Sequence, residues 1–231
     1  MTALAPADLL DLWERGPASA LRAVLPLAAA GGEPADVLAA LPVGRRDARL
    51  LRLRALTFGP VVEGETACPA CGECLDLAVH IDDLLAAAPA DPAPAWLTAE
   101  ADGVTVAYRL PTTHDLAAAI HAADPSAALL RCCLRETPDA LPDAVVDAVA
   151  RGMAEADPLA AIRWDLECPA CGHGWQDVFD IAAYFWAEIE RHALRLLAEV
   201  HRLALAYGWA ERDVLALSFR RRYHYLALLN G

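Results

Sequence analysis

The sequence predicts a mostly helical α+β fold, with a small cysteine-bearing β unit split by a long helical insertion and a helical hairpin at the C-terminal end. Three observations predict it. The pentapeptide Cys-Pro-Ala-Cys-Gly occurs twice, at 68–72 and 168–172. Strand-like alternation lies beside each copy, as where Leu75, Leu77 and Val79 interleave with Asp76, Ala78 and His80. Elsewhere apolar residues recur every three or four positions, the periodicity of an amphipathic helix.

In chain order, Pro6 suits the first turn of a helix over Ala7 to Arg15, which Gly16-Pro17 ends. A second helix is expected over Ala18 to Ala29, kinked at Pro26, and a brief one from Pro34 to near Leu41. Pro42-Val43-Gly44 then turns into a helix over Arg45 to Leu56. After the first strand region, Asp82 and Asp83 lead into a short helix. Ala86 to Pro94 is Ala/Pro-rich with few bulky anchors and reads as a linker or surface loop. Val104 to Leu110 reads as a strand with Val104, Val106 and Tyr108 on one face. Thr112 or Thr113 caps a helix through His121, and further helices are expected over Pro125 to Arg135 and Pro142 to Ala156. Ile162 to Glu167 reads as another strand. The longest helix begins at Ile181, where Phe185, Ile189, Ala193, Leu196, Val200, Leu203 and Tyr207 continue one apolar face and Gly208 caps the end. Two short helices near 211–217 and 219–229 finish the chain. The resulting division is 1–57 N-terminal helices, 58–83 first cysteine half, 84–160 insertion, 161–180 second cysteine half and 181–231 C-terminal helices.

Composition limits the function classes. The chain has 231 residues, 32 acids against 19 basic residues, and a formal charge of −13. Nucleic acid is therefore a poor first partner, because phosphate binding needs a basic footprint. No apolar run reaches the roughly 20 residues of a membrane helix. Asp8 and Asp11 interrupt the N-terminal apolar residues, and no basic leader precedes them, so the expected compartment is the cytoplasm. All 19 cations are arginine.

Seven cysteines make an awkward disulfide framework, and four of them form two C-x-x-C pairs. In such a knuckle the two-residue spacing aims both thiolates at one metal, Pro stiffens the turn and Gly accepts positive φ. Cys68, Cys71, Cys168 and Cys171 together supply four thiolates. Four such ligands at about 2.3 Å complete a closed tetrahedral Zn2+ shell with no open water position, which is a structural rather than catalytic arrangement. The pairs are 96 residues apart, against about 15 to 20 in compact ribbons. Loop closure costs only about 0.6 kcal/mol per doubling of length, so the separation is no veto. Two alternatives stay open. One is a redox dithiol, which expects a long helix opening at the first cysteine, whereas Gly72 and Gly172 stand here with strand-like residues after them. The other is a mixed shell in which Cys74 or His173 replaces a thiolate. Cys132 and Cys133 sit in a helical apolar run and read as buried structural cysteines.

Outside the knuckles, Arg45, Arg49 and Arg52 form a basic stripe at i, i+4 and i+7, and Arg220-Arg221-Arg222 precede Tyr223, His224 and Tyr225. Both have a plain reading, as a solvated or internally paired face and as a helix packed on the body. No nucleophile–base pair, Gly-rich phosphate loop or His-bearing metal motif stands out, so an enzyme and a small-molecule substrate are not expected. His192 and His201 are read as helix-surface residues, and Trp175, Trp186 and Trp209 as core anchors.

The order of features then carries a resemblance. Leu-Pro-Val-Gly-Arg-Arg-Asp-Ala-Arg-Leu-Leu from 41, Thr-Phe-Gly from 57, Tyr-Arg-Leu-Pro-Thr from 108, Cys-Pro-Ala-Cys-Gly-His from 168 and the segment Tyr207-Gly208-Trp209 through Tyr223 resemble T4-type baseplate proteins. These include baseplate-hub assembly chaperones encoded with contractile phage tails and phage-tail-like contractile injection systems. The resemblance implies a non-enzymatic role in assembling the baseplate or hub, with other baseplate or hub proteins as partners. The cysteines are not carried over from the family. A competing class is a zinc-ribbon nucleic-acid or transcription-associated adaptor, and a third is a CxxC dithiol oxidoreductase.

Overall fold

The computed structural model of the chain describes residues 1–16, 20–89, 94–136 and 141–229. Four helices open the chain: α1 (Pro6–Arg15), α2 (Ala20–Ala29), α3 (Ala35–Ala39) and α4 (Val43–Phe58). Pro17 of the expected break and residues 90–93 of the expected linker lie outside the described residues.

The first cysteine half is a hairpin of β1 (Val61–Ala67) and β2 (Cys74–His80), followed by α5 (Ile81–Ala86). A second hairpin, β3 (Leu97–Ala101) and β4 (Val104–Tyr108), leads to α6 (Thr113–Ala119), α7 (Pro125–Cys133), α8 (Asp143–Ala156) and a 3-10 turn at Pro158–Ala161. A third hairpin, β5 (Ile162–Glu167) and β6 (Gly174–Phe179), carries the second knuckle. The chain ends in α9 (Ile181–Tyr207), α10 (Glu211–Leu215) and α11 (Phe219–Leu228). The structure is thus a mixture of helices with three separate two-stranded antiparallel sheets.

The repeat extends well beyond the pentapeptide. Ala67 pairs with Cys74 and Val62 with Val79 in the first hairpin; Glu167 pairs with Gly174 and Ile162 with Phe179 in the third. Each corresponding residue is 100 positions later. Ile81 and Ile181, the first helical residues after each hairpin, are both buried. Two equivalent ββα units therefore flank the insertion, the first helix having 6 residues and the second 27.

The principal core joins α1, α2 and α4 to α9 around Leu27, Leu50, Leu51, Leu53, Phe185 and Ile189. Burial of each such side chain contributes roughly 1.5–3 kcal/mol. A smaller cluster of Tyr108, Leu134 and Val149 holds β4 to α8, and Val200, Leu203 and Val214 hold α10 to the end of α9. The predicted apolar face of α9 is buried from Ile181 through Leu203, while Tyr207 is 37% exposed and stacks on Trp209. Asp180 caps α9 by accepting from the Ala182 and Ala183 N–H groups at 2.9 and 3.1 Å.

Two long-range polar contacts fix this arrangement. Arg54 on α4 forms a buried two-pronged pair with Glu188 on α9 and donates to the carbonyls of Gly59 and Val61 at the entrance to β1. The Gly44 N–H donates to Asp157 Oδ2 at 2.8 Å, and a Cβ at Gly44 would lie 2.1 Å from Asp157 Oδ1, so only glycine fits there.

β1 and β3 are strands that the sequence pattern leaves undrawn. Glu63-Gly64-Glu65 breaks any apolar alternation in β1, and β3 presents Ala99 and Ala101 where bulky residues would give a signal. Each is specified by its hairpin partner. The predicted ends of α6 and α7 overrun the structure by two residues, at Ala119 rather than His121 and Cys133 rather than Arg135.

Candidate metal centre

Both knuckles are built by the same local hydrogen bonds. Cys68 N–H donates to Glu73 O at 2.8 Å and Gly72 N–H to Cys68 O at 2.8 Å. The third hairpin repeats them, with Cys168 N–H to His173 O and Gly172 N–H to Cys168 O, each 2.9 Å. The turn requires a left-handed residue after the second cysteine; Gly72 has φ 78° and Gly172 φ 70°.

The two knuckles face each other crosswise. Cys68 Sγ lies 3.7 Å from Cys171 Sγ, and Cys71 Sγ lies 3.6 Å from Cys168 Sγ. All four sulfurs fall within 4.8 Å of one another. Donors placed tetrahedrally at about 2.3 Å from a centre are about 3.8 Å apart, close to the two cross-pair distances, whereas a disulfide would need about 2.05 Å. All seven cysteines are free. Cys68 and Cys168 are buried and Cys71 and Cys171 exposed, so each knuckle contributes one inner and one outer sulfur. The donor set and spacing are compatible with a bound metal ion.

Cys68 and Cys71 differ in acidity. Burial opposes ionisation of Cys68, but the Cys71 and Ala70 N–H groups and the Cys71 and Cys168 thiols outweigh it and bring its thiol down to about 7. The Glu73 N–H favours the Cys71 thiolate, yet the adjoining Cys171 and Cys168 thiols and the remaining contacts push it up to about 12. A divalent cation bound among the four sulfurs would favour the thiolate form of each.

Further contacts hold the hairpins in register. Thr66 Oγ1 donates to Asp177 Oδ2 at 3.1 Å. The Tyr184 hydroxyl of α9 accepts from Glu63 N–H at 3.1 Å and donates to Glu63 O at 2.7 Å, satisfying the backbone on the open side of β1. Among the described residues neither Cys74 nor His173 joins the sulfur group. Cys74 is exposed at the start of β2, and the His173 ring stacks with Trp175.

Other sequence candidates are distributed elsewhere. Arg49 pairs with Glu33 and Arg45 donates to Pro89 O, while Arg52 is exposed. Arg222 is buried and bonds Glu199, separating it from exposed Arg220 and Arg221. Cys133 is buried as expected, but Cys132 is exposed, because adjacent helical residues point about 100° apart. His201 is exposed, whereas His192 is partly covered and stacks on Phe58 at 4.1 Å. Trp175, Trp186 and Trp209 are half-buried: Trp186 and Trp209 pack at the edges of core clusters, whereas Trp175 stacks with His173. The Arg54–Glu188 pair gives no local sequence signal, since its members are 134 residues apart and arginine is ordinary on a helix.

Among the described residues no helix is long and apolar enough to cross a membrane. Residues 23–186 match the family model described as T4 bacteriophage base plate protein. The matched stretch contains both knuckles. No curated protein and no solved structure matches the chain.

Proposed function

Because the chain belongs to the T4 bacteriophage base plate protein family, we propose that it is a non-enzymatic structural or chaperone-like protein in assembly of the baseplate or hub of a contractile phage-tail-like particle. The observation that carries this reading is the family match over 23–186. Its partners are other baseplate or hub proteins. The decisive experiment is coexpression with the baseplate and hub proteins of a contractile tail-like particle from the same source, followed by purification and electron microscopy of particles with and without this gene. The reading expects a defined complex and baseplates that fail to form without the chain. Normal particles from the deletion would overturn it.

The proposal includes one structural Zn2+ held by Cys68, Cys71, Cys168 and Cys171 as a split ribbon, with residues 84–160 inserted. Four sulfurs within 4.8 Å support it, and four protein thiolates leave no open position for catalysis. Elemental analysis of purified protein tests it, with about one zinc per chain expected. Metal-free folded protein with reversible oxidation of one C-x-x-C pair would instead support a dithiol oxidoreductase. The adaptor reading has less behind it, because Arg49 and Arg222 are already paired within the chain.

A further inference from the structure

The charge of this molecule is unevenly distributed. Residues 189–229 contain seven arginines and four acids, whereas the whole chain has 19 and 32. Within that cationic stretch, α11 presents Phe219, Tyr223 and Leu228 at 62, 61 and 72% exposure, beside exposed Arg220 and Arg221. Its buried side is already engaged, since Arg222 bonds Glu199 and donates to Leu217 O, and Tyr225 packs edge-on against Trp209. The helix is therefore fixed in place with an aromatic and cationic outer face.

A groove with two carboxylates, Asp8 and Asp11, lies between α1 and α6 and is lined by α2 as well. The groove there encloses about 1230 Å3, above the roughly 300–1,000 Å3 of small-molecule pockets. Leu25 and Pro26 of α2 and Ile120 supply apolar wall, Asp8 and Asp11 of α1 add two carboxylates, His114 and His121 come from α6 and the residues after it, and Arg15 stands at the C-terminal end of α1. Ile120 is 53% exposed, and Ala117 and Ala118 just before it are exposed as well.

We infer that the groove between α1 and α6 receives α11 of a second copy of this chain. Placed parallel to α1, the incoming helix sets Arg220 and Arg221 against Asp8 and Asp11, while Phe219 and Tyr223, one turn apart on the same side of α11, cover Ile120, Leu25 and Pro26. Its C-terminal carbonyls, the negative end of the helix dipole, then lie towards Arg15. Asp8 to Arg15 spans about 10 Å along α1, and α11 from Arg220 to its last turn is about as long. The mode is helix-in-groove recognition. Groove and helix are different surfaces, so the contact is head-to-tail and generates a closed ring or an extending array. It requires neither the metal nor the baseplate reading.

Sedimentation velocity of the purified full chain over a concentration series tests this. Association that weakens as salt rises is expected for the unaltered protein. Ile120→Asp and Tyr223→Asp change exposed side chains on the two faces; each should be monomeric with unchanged circular dichroism. Mixed together they retain one good groove and one good helix, and should form a 1:1 complex that grows no further. Charge reversal gives an independent arm: Asp8→Arg with Asp11→Arg, or Arg220→Glu with Arg221→Glu, should each reduce association at least tenfold, and both pairs in one chain should restore it. A protein monomeric at every concentration, a mixture that stays monomeric, or association lost in only one of the two single variants would overturn the inference. Loss in the Tyr223 variant alone would place α11 against another α11, and loss in the Ile120 variant alone would place groove against groove.

Discussion

The two ββα units use the same turn with unequal support. In the first, the hairpin is followed by six helical residues, and its strand β1 depends on groups from elsewhere: Arg54 at its entrance and Tyr184 along its open side. In the second, the hairpin runs directly into the 27-residue α9, whose start is capped by Asp180 and whose face fills the principal core. Equal local sequence therefore does not imply equal local stability. The second unit is anchored by its own continuation, and the first by the second.

Removal of the proposed metal should break the comparison most severely, because the four sulfurs join the two knuckles directly, beside the Thr66–Asp177 and Tyr184–Glu63 contacts. Chelation, Cys68→Ser or Cys168→Ser should each eliminate zinc binding and cause the largest loss of thermal stability, since structural zinc supplies on the order of 10 kcal/mol in small peptides. Elemental analysis with calorimetry checks this. If only one of the two serine variants lost metal, the knuckles would not share a site.

Next is Arg54→Met, which leaves Glu188 buried without its partner and frees the entrance of β1. A cost of about 3–5 kcal/mol is expected from urea unfolding. Hydrogen exchange should show the first hairpin opening before the second; simultaneous opening would mean that α9 supports both equally.

A pH experiment sharpens the contrast at the helix starts. Asp47 is raised to about 6 by burial, against the counteracting Arg46, with Asp180 and Asp157 adding repulsion. A carboxyl whose folded pKa lies above its unfolded value stabilises the fold while protonated and loses that contribution as pH rises from about 4 through 6. Unfolding free energy should fall across this window by on the order of 2–3 kcal/mol from this group. Asp180→Asn should reduce that slope, and an unchanged slope would show that the second unit's cap does not reach Asp47.

The smallest effects concern single hydrogen bonds. Asp180→Ala removes the cap of α9 and should cost about 1 kcal/mol. His80→Ala at the equivalent position before α5 should cost almost nothing, since no side-chain cap is present there. Equal costs would erase the asymmetry. Tyr184→Phe should cost about 1 kcal/mol through the Glu63 backbone.

Much of the second unit was legible in the sequence because its information is local. Ile162 to Glu167 matches β5 at both ends, and the apolar period of α9 and its terminal Gly208 lie within a few residues of the features they specify. The first unit was less legible. β1 carries Glu63, Gly64 and Glu65 and has no apolar alternation to recognise; what holds it is Ala78 and Leu77 across the hairpin and Tyr184 from far along the chain. The cysteine spacing anticipated which four sulfurs come together, because two identical knuckles can satisfy one tetrahedral donor set. Their crosswise pairing and the Arg54–Glu188 contact required the folded chain. A periodic pattern reports which face is buried, but it does not say against what.

The position of the two knuckles also sets an order of events during synthesis. Cys68 and Cys71 emerge about 100 residues ahead of Cys168 and Cys171, which at 5–20 residues per second is a wait of roughly 5–20 s. Throughout that interval the first pair has only two thiols to offer a metal. Glu188, which satisfies Arg54, and Tyr184, which closes the side of β1, are translated later still. The first hairpin is thus made early and completed late, and any factor that shields nascent thiols would act on Cys68 and Cys71 before the rest of the chain exists.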